Sequence, residues 1–496
     1  MNIDNDTSNL GKQSNIGESL ALLGVLIVCI CSAVILFNDY PTGGPIQLAL
    51  TFTAFCGILL GFKNGIAWKH IEASISDSVA VAANAIFILI CVGALVGTWI
   101  MSGTVPTMIY YGLHFLSPEI FYPSACLLCA IVSLTIGSSW TTMATIGLAL
   151  VGICNVLGLS IPITVGAIVS GSYFGDKMSP LSDTTNLSPA VAGSELFSHI
   201  RHMAWVSVPS FLISLALYAI IGLISDTPAS SALELDSFTN ALQNQFNIGL
   251  HLLIPLLILL YMAFKRVPAL PTIFSGALIG ALFAVMFQSQ VVLELANTPD
   301  AHNAVATVTG VSKAMFEGFS SDSGVEVVDK LLSRGGMSSM IMTVWLILSA
   351  MLMAGVFSSI GIFDTIASAL VRFTKTTGNL IAVTLSNSAL MNIIAGDQYI
   401  SIIVPGQIWR KEYQRRKLAA VNLSRCLEDA GTLTSPLIPW TTCGAYIYGV
   451  LGLTTFAYIP FCFFNIINPI ISAIYGYTGF TIINEQEIVT DTTKHL

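Results

Sequence analysis

The sequence predicts an all-α polytopic membrane protein of about 10–13 transmembrane helices, built as an inverted-topology repeat with broken helices and re-entrant hairpins. Three observations predict it. The 496 residues are 54% hydrophobic and only 9% charged, against roughly 25% charged in soluble domains. Apolar runs of the ~20 residues that a bilayer core requires recur along the whole chain. Segments of the first half also reappear in the second at a nearly constant shift.

The qualifying runs are 18–37, 45–62, 79–101, 121–154, 161–176, 203–225, 248–264, 269–288, 338–373, 378–407, 418–442 and 453–476. The first follows a polar tail, 1–17, and is too long and too cleanly flanked for a cleaved signal peptide. Residues 64–78 carry Lys69, His70, Glu72 and Asp77 among apolar positions, the pattern of an interfacial helix. Segment 121–154 contains Gly137-Ser138-Ser139 near its middle, and 378–407 contains Asn392, Gly396 and Asp397. Both are expected to be broken helices or hairpins. The chain divides into a first transport half over 18–225, external loops and connecting spans over 226–337, an inverted second half over 338–476 and a tail over 477–496. The ten cysteines fall almost entirely in apolar runs. Cys126 and Cys129 have no further ligand nearby and read as small buried hydrophobes.

Shifting Ser179-Pro180-Leu181 by 256 residues lays it on Ser435-Pro436-Leu437, Gly175 on Gly431 and Thr185 on Thr441. A shift of 258 lays Gly97 and Gly103 on Gly355 and Gly361, and one of 259 lays Gly137 on Gly396. The connection 155–162 is uncharged, whereas its counterpart holds Arg410, Lys411, Arg415, Arg416 and Lys417. Basic loops stay cytoplasmic, so equivalent loops lie on opposite sides. That is an inverted repeat, with both termini cytoplasmic and the stretches 171–190 and 428–442 meeting near the midplane.

The stretch Gly171 to Ala190 organises the chain. An apolar run enters it, and then Asp176, Lys177, Pro180, Asp183 and several hydroxyls appear where a span should continue. Each such charge costs at least ~2.5–3.5 kcal/mol in the bilayer centre, so these groups face a cavity, a partner or an ion. Gly175 and Pro180 weaken the helix and free carbonyls. Asp176 and Asp183 are candidates to bind a cation and exchange a proton; a pairing of Asp176 with Lys177, or a cap on a half-helix, is the competing reading. Lys177 is open to three roles: counter-charge, occupant of the cation site, or anchor for an anion. Ser179, Thr184, Thr185 and Asn186 offer uncharged oxygens, as Ser138 and Thr141 do at the earlier break. In the second half Asp397, Asp429, Thr432 and Ser435 are the corresponding candidates. Glu428 and Asp429 open the second broken stretch, and Arg425 stands one turn before them, placed to neutralise one of the two.

Gly175-Asp176-Lys177-Met178-Ser179-Pro180-Leu181-Ser182-Asp183-Thr184-Thr185-Asn186-Leu187 resembles the signature of the NhaC family of bacterial sodium/proton antiporters. Gly93-Ala94-Leu95-Val96-Gly97-Thr98-Trp99 and Gly137-Ser138-Ser139-Trp140-Thr141-Thr142 resemble the same family. The resemblance implies a bacterial inner-membrane antiporter that exports Na+ (or Li+) against H+. Close relatives exchange organic acids such as malate and lactate together with sodium, which keeps that substrate class open. The expected partners are Na+, H+ and the lipid bilayer, with a homodimer as the expected assembly. No cofactor is expected. No nucleotide-binding loop or zinc spacing is present, so ATP-driven pumping is disfavoured, and no basic cluster suggests nucleic acid.

Overall fold

The computed structural model describes residues 12–37, 42–225, 232–298 and 302–485. Of the tails expected over 1–17 and 477–496, only 12–17 and 477–485 fall within them. The regular elements in the described residues are all helical, with one backbone bridge, Leu418 to Asn484. Among them nine helices are long and apolar enough to cross a membrane, or up to eleven if each of two bent pairs is one span.

Residues 121–154 form a re-entrant hairpin. Phe121–Ile136 enters, Gly137 turns the chain at φ +74°, and Ser139–Thr142, Met143–Gly147 and Leu148–Val156 lead out. The Tyr122 hydroxyl accepts a hydrogen bond from the Ser160 N–H at 3.0 Å, which ties entrance to exit on one face. The second hairpin runs in through Thr377–Ala395, turns at Gly396 with φ +66°, and runs out through Gln398–Arg415. The Arg416 guanidinium donates to the Thr374 carbonyl and ties its two feet together. Each turn needs a left-handed residue, which costs a side-chain-bearing residue roughly 1–2 kcal/mol. The residue after each glycine caps the outgoing arm. Ser138 Oγ accepts from Thr141 N, and Asp397 Oδ1 accepts from Tyr399 N and Ile400 N.

Two spans break beside the hairpin tips. Ile161–Met178 stops, residues 179–182 are non-helical, and Asp183–Ala192 resumes. Pro180 is the cause, since a residue before proline avoids the helical region and Ser179 is extended at φ −87°, ψ 128°. Gly175 does not break the helix. It lies inside it, where a Cβ would come 2.3 Å from the Ala130 carbonyl oxygen, and so lets the hairpin arm pack against the span. The second broken span runs Ala420–Leu427, a π-turn Glu428–Thr432, Ser435–Leu437 and then Thr442–Leu451. Ser182 and Thr441, 259 residues apart, cap the resuming helices through Thr185 N and Gly444 N.

The directions of these elements are opposed. The first broken span starts at Ser160, at the foot of the first hairpin, and ends where Arg410 of the second hairpin donates to the Val191 carbonyl at 3.4 Å. The second starts on that same face, where Ala419 N bonds Ile483 O, and runs back. The hairpins therefore enter from opposite faces, which is the inverted repeat. Lys12 and Ser14 bond the backbone of Asn64 and Ile360, and Glu485 bonds that of Lys417. Between 360 and 374 only the short helix Ile362–Val371 intervenes, about 15 Å or half a bilayer core. Both described ends thus share the face of the basic segment 409–417.

Two further expectations need correction. Residues 64–78 are not a separate interfacial helix: from residue 68 they form the start of one 34-residue helix, Trp68–Met101, because no glycine or proline interrupts it before Gly93. The long polar connections are also not plain loops. The described part of 226–247 holds Ala232–Gln245, and 289–337 holds Ser289–Ala296, Asn303–Phe316 and Glu326–Leu332.

Candidate functional site

A cavity of about 450 Å³ opens where the first hairpin tip, the first break and the second hairpin tip converge. Ser138, Ser139 and Thr141 line it from one tip, Asp176, Asp183, Thr184 and Asn186 from the broken span, and Gln398, Tyr399 and Thr442 from the second half. Exposed Arg266 and the polar Asn84, Ser182 and Thr272 add to its polar lining.

Asp176 stands at the centre of this convergence. It is 9% exposed, and its Oδ2 accepts from Ser139 N at 3.0 Å and Ser139 Oγ at 2.7 Å. A carboxylate from the broken span thus caps the outgoing hairpin arm, where the helix N-terminus favours negative charge. No Lys or Arg among the described residues is paired with it. Asp183 begins the resuming helix and is exposed to the cavity. Asn186 wraps the break, its Nδ2 donating to the carbonyls of Pro180 at 2.9 Å and Ser182 at 2.7 Å. Thr185 Oγ1 donates to the carbonyls of Asp176 and Lys177 and closes the end of the helix before the break.

Behind the cavity lies a fully buried charged group. Lys177 Nζ is 2.5 Å from Asp429 Oδ1, and Arg425 Nε is 3.8 Å from Asp429 Oδ2. Lys177, Arg425, Glu428 and Asp429 are all 0% exposed, two cations against two acids. Glu428 accepts from Thr184 Oγ1 and Thr432 Oγ1, each at 2.9 Å, and from Ser188 Oγ. The stretches around 171–190 and 428–442 therefore meet as expected, through Lys177–Asp429 and Thr184–Glu428.

Of the residues singled out in sequence, Ser138, Thr141, Asp176, Asp183, Thr184 and Asn186 line the cavity. Ser179, Thr185, Asp397, Asp429, Thr432 and Ser435 are not among its lining. Asp397 is 1% exposed, and its Oδ2 accepts from Thr442 Oγ1 at 3.1 Å, so it fastens the second tip to the second broken span. Asp429 is neutralised by Lys177. Thr432 serves Glu428, and Ser435 lies buried in the second break. Sequence reasoning noted Glu428 without giving it a role, and passed over Gln398, Tyr399, Thr442, Asn84 and Arg266 as lining residues. Of these only Glu428 gave a signal, as an acid in an otherwise apolar stretch.

Two hairpins and two broken spans, inverted about a polar cavity, define a membrane transporter of the alternating-access class. Residues 171–480 match the Na+/H+ antiporter family. The chain is 38% identical over 477 residues to the Na+/H+ antiporter NhaC of Alkalihalophilus pseudofirmus, covering 96% of this chain and 98% of that one. It is 36% identical to the malate-2H+/Na+-lactate antiporter of Bacillus subtilis, over 93% of this chain and 94% of that one. It is 33% identical to the arginine/ornithine antiporter ArcD of Halobacterium salinarum, over 95% and 93%. The chain belongs to the Na+/H+ antiporter family.

Proposed function

We propose that this chain is a secondary active Na+/H+ antiporter of the bacterial plasma membrane, exporting sodium (or lithium) by alternating access, with Asp176 as the carboxylate over which the ions compete. The observation that carries this reading is the setting of Asp176: nearly buried, on the cavity, at the junction of a hairpin tip with a helix break, and without a basic partner. Sodium leaving water needs several oxygens. Asp176, Asp183, Ser138, Thr141 and Thr184, which line the cavity, supply them. Ser179, Thr185, Asn186 and Asp397 hold the break and the second tip in place, while Asp429, Thr432 and Ser435 act from the buried second break. The described ends, at residues 12 and 485, share the face that carries the basic segment 409–417, which supports cytoplasmic termini.

Competition sets the sign of the pH dependence. A protonated Asp176 offers no charge to sodium, so sodium affinity rises with pH, about tenfold per unit while one bound proton is displaced, and then levels off. Reconstitution into liposomes with an internal pH dye tests the reading. A sodium gradient drives a pH change in the wild type, and Asp176→Asn abolishes it while the protein still inserts and elutes as folded. Sodium affinity that stays constant between roughly pH 5 and 8 excludes the competition.

A second reading rests on the cavity itself. At about 450 Å³, with Arg266 on its lining, it exceeds what one cation fills. Exchange of a small organic ion with sodium fits that volume and the names of two of the relatives. A sodium-dependent pH change that requires malate, lactate or arginine on one side of the membrane selects it.

A further inference from the structure

We propose that Glu428 is a second proton-exchanging carboxylate, coupled to sodium in the cavity through the Thr184 hydroxyl. This rests on the sodium/proton reading of the cavity and adds a residue to it.

Glu428 and its neighbour Asp429 are equally buried but differently partnered. Asp429 takes both local cations, Lys177 at 2.5 Å and Arg425 at 3.8 Å. Glu428 has no ion pair among the described residues. Its partners are three hydroxyls, Thr184, Ser188 and Thr432. A hydroxyl both donates and accepts, so the same three groups serve a carboxylate or, after rotation, a carboxylic acid. Asp429 has no such freedom, since its partners are permanent donors. The charges facing Glu428 are Lys177 and, further off, Asp176 from the first broken span and Arg425 and Asp429 from its own element. His202 on the neighbouring helix contacts Arg425 Nη1 at 3.4 Å, and His199 contacts Ser424 Oγ at 2.8 Å. With both histidines neutral, the four buried residues Lys177, Arg425, Glu428 and Asp429 sum to zero when Glu428 is ionised and to one positive charge when it is protonated.

Thr184 connects this carboxylate to the cavity. Thr184 lines the cavity while its Oγ1 donates to Glu428, and Ser182 Oγ lies 3.2 Å from the same oxygen. Ser182 also lines the cavity, as Asp176 does. A sodium ion coordinated by Thr184 Oγ1 polarises its O–H towards Glu428, which favours the ionised carboxylate. Proton loss then follows the hydroxyls. Glu428 gives its proton to Thr184 Oγ1, Thr184 gives its own to Ser182 Oγ, and Ser182 gives its own to cavity water. One proton reaches the cavity, each hydroxyl keeps one, and no other bond changes. Glu428 also begins a π-turn, a local distortion found often at functional sites.

The test counts protons released per sodium bound, by adding NaCl to purified full-length protein in weakly buffered detergent solution. The wild type releases more than Glu428→Gln, by about one proton at a pH where both carboxylates exchange. Thr184→Val leaves the carboxylate in place and removes the link, so it shows the same deficit, and Thr184→Ser restores the wild-type count. Should Glu428→Gln fail to fold, the Thr184 pair decides. Release equal to wild type in Glu428→Gln or in Thr184→Val overturns the coupling while leaving Asp176 in its role. A wild type that binds sodium and releases no proton overturns the sodium/proton reading and this inference with it.

Discussion

Asp176, Asp397 and Asp429 look alike in the sequence, each an acid interrupting an apolar stretch, and their partners make them different groups. Asp176 holds a hairpin tip and faces the cavity; Asp397 is closed off by two backbone amides and Thr442; Asp429 is neutralised by a lysine 252 residues away. Sequence reasoning therefore found where acids are embedded but not which of them is open, because openness depends on contacts between the two halves. The buried pair makes a stability prediction. Lys177→Met leaves Asp429 with only a distant guanidinium and is expected to destabilise the protein by about 3–5 kcal/mol, since breaking a buried pair leaves an uncompensated charge. Lys177→Met with Asp429→Leu should recover much of that loss. Thermal unfolding in detergent checks both, and a double variant no more stable than the single one means that Arg425, left without its acid, carries the cost.

At the scale of the element, the hairpin turns are the features most legible in sequence, because only glycine tolerates their left-handed backbone cheaply. The two turns are not equally crowded. A Cβ on Gly137 would come 2.6 Å from Leu181 Cβ and 2.9 Å from Ser182 N, while on Gly396 the nearest atom is Ala350 Cβ at 3.1 Å. Gly137→Ala must therefore push the first tip off the break that carries the cavity, and its exchange rate should fall at least tenfold below that of Gly396→Ala. Liposome assays at matched protein density measure the difference; equal losses mean that backbone strain alone governs. Pro180 announced the first break just as plainly. The π-turns at Met143–Gly147 and Glu428–Thr432 had no such announcement, since no residue type is required for one extra residue in a helical turn. The 34-residue helix was hidden for a different reason: its polar first turns look like surface, and only the lack of a breaker shows that they continue into the span.

For the whole molecule, the repeat was readable from a handful of glycines and one serine-proline pair, and the structure gives the same offset through the caps Ser138/Asp397 and Ser182/Thr441. What the offset does not disclose is the division of labour. The first half contributes Asp176 and Asp183 to the cavity, the second contributes Gln398, Tyr399 and Thr442. Topology is the prediction at this scale. In a background without native cysteines, Lys411→Cys should resist an impermeant thiol reagent in intact cells and react after lysis, while Asn240→Cys should react in both. Both positions are exposed, so the contrast reports sidedness; reversed labelling turns the molecule over in the membrane.

The Lys177–Asp429 contact also has a history within each molecule. Lys177 enters the bilayer 252 residues before its partner exists, a wait of roughly 10–50 s at ordinary rates of synthesis. Until then the nascent first half carries an ammonium in hydrocarbon with nothing to neutralise it. Biogenesis must therefore leave that half ajar, held by the insertion machinery or by lipid headgroups, and close it only when residue 429 arrives. A gene split in the 226–231 connection would turn this wait into an encounter between two polypeptides, the first of them vulnerable to membrane proteases until the second is supplied.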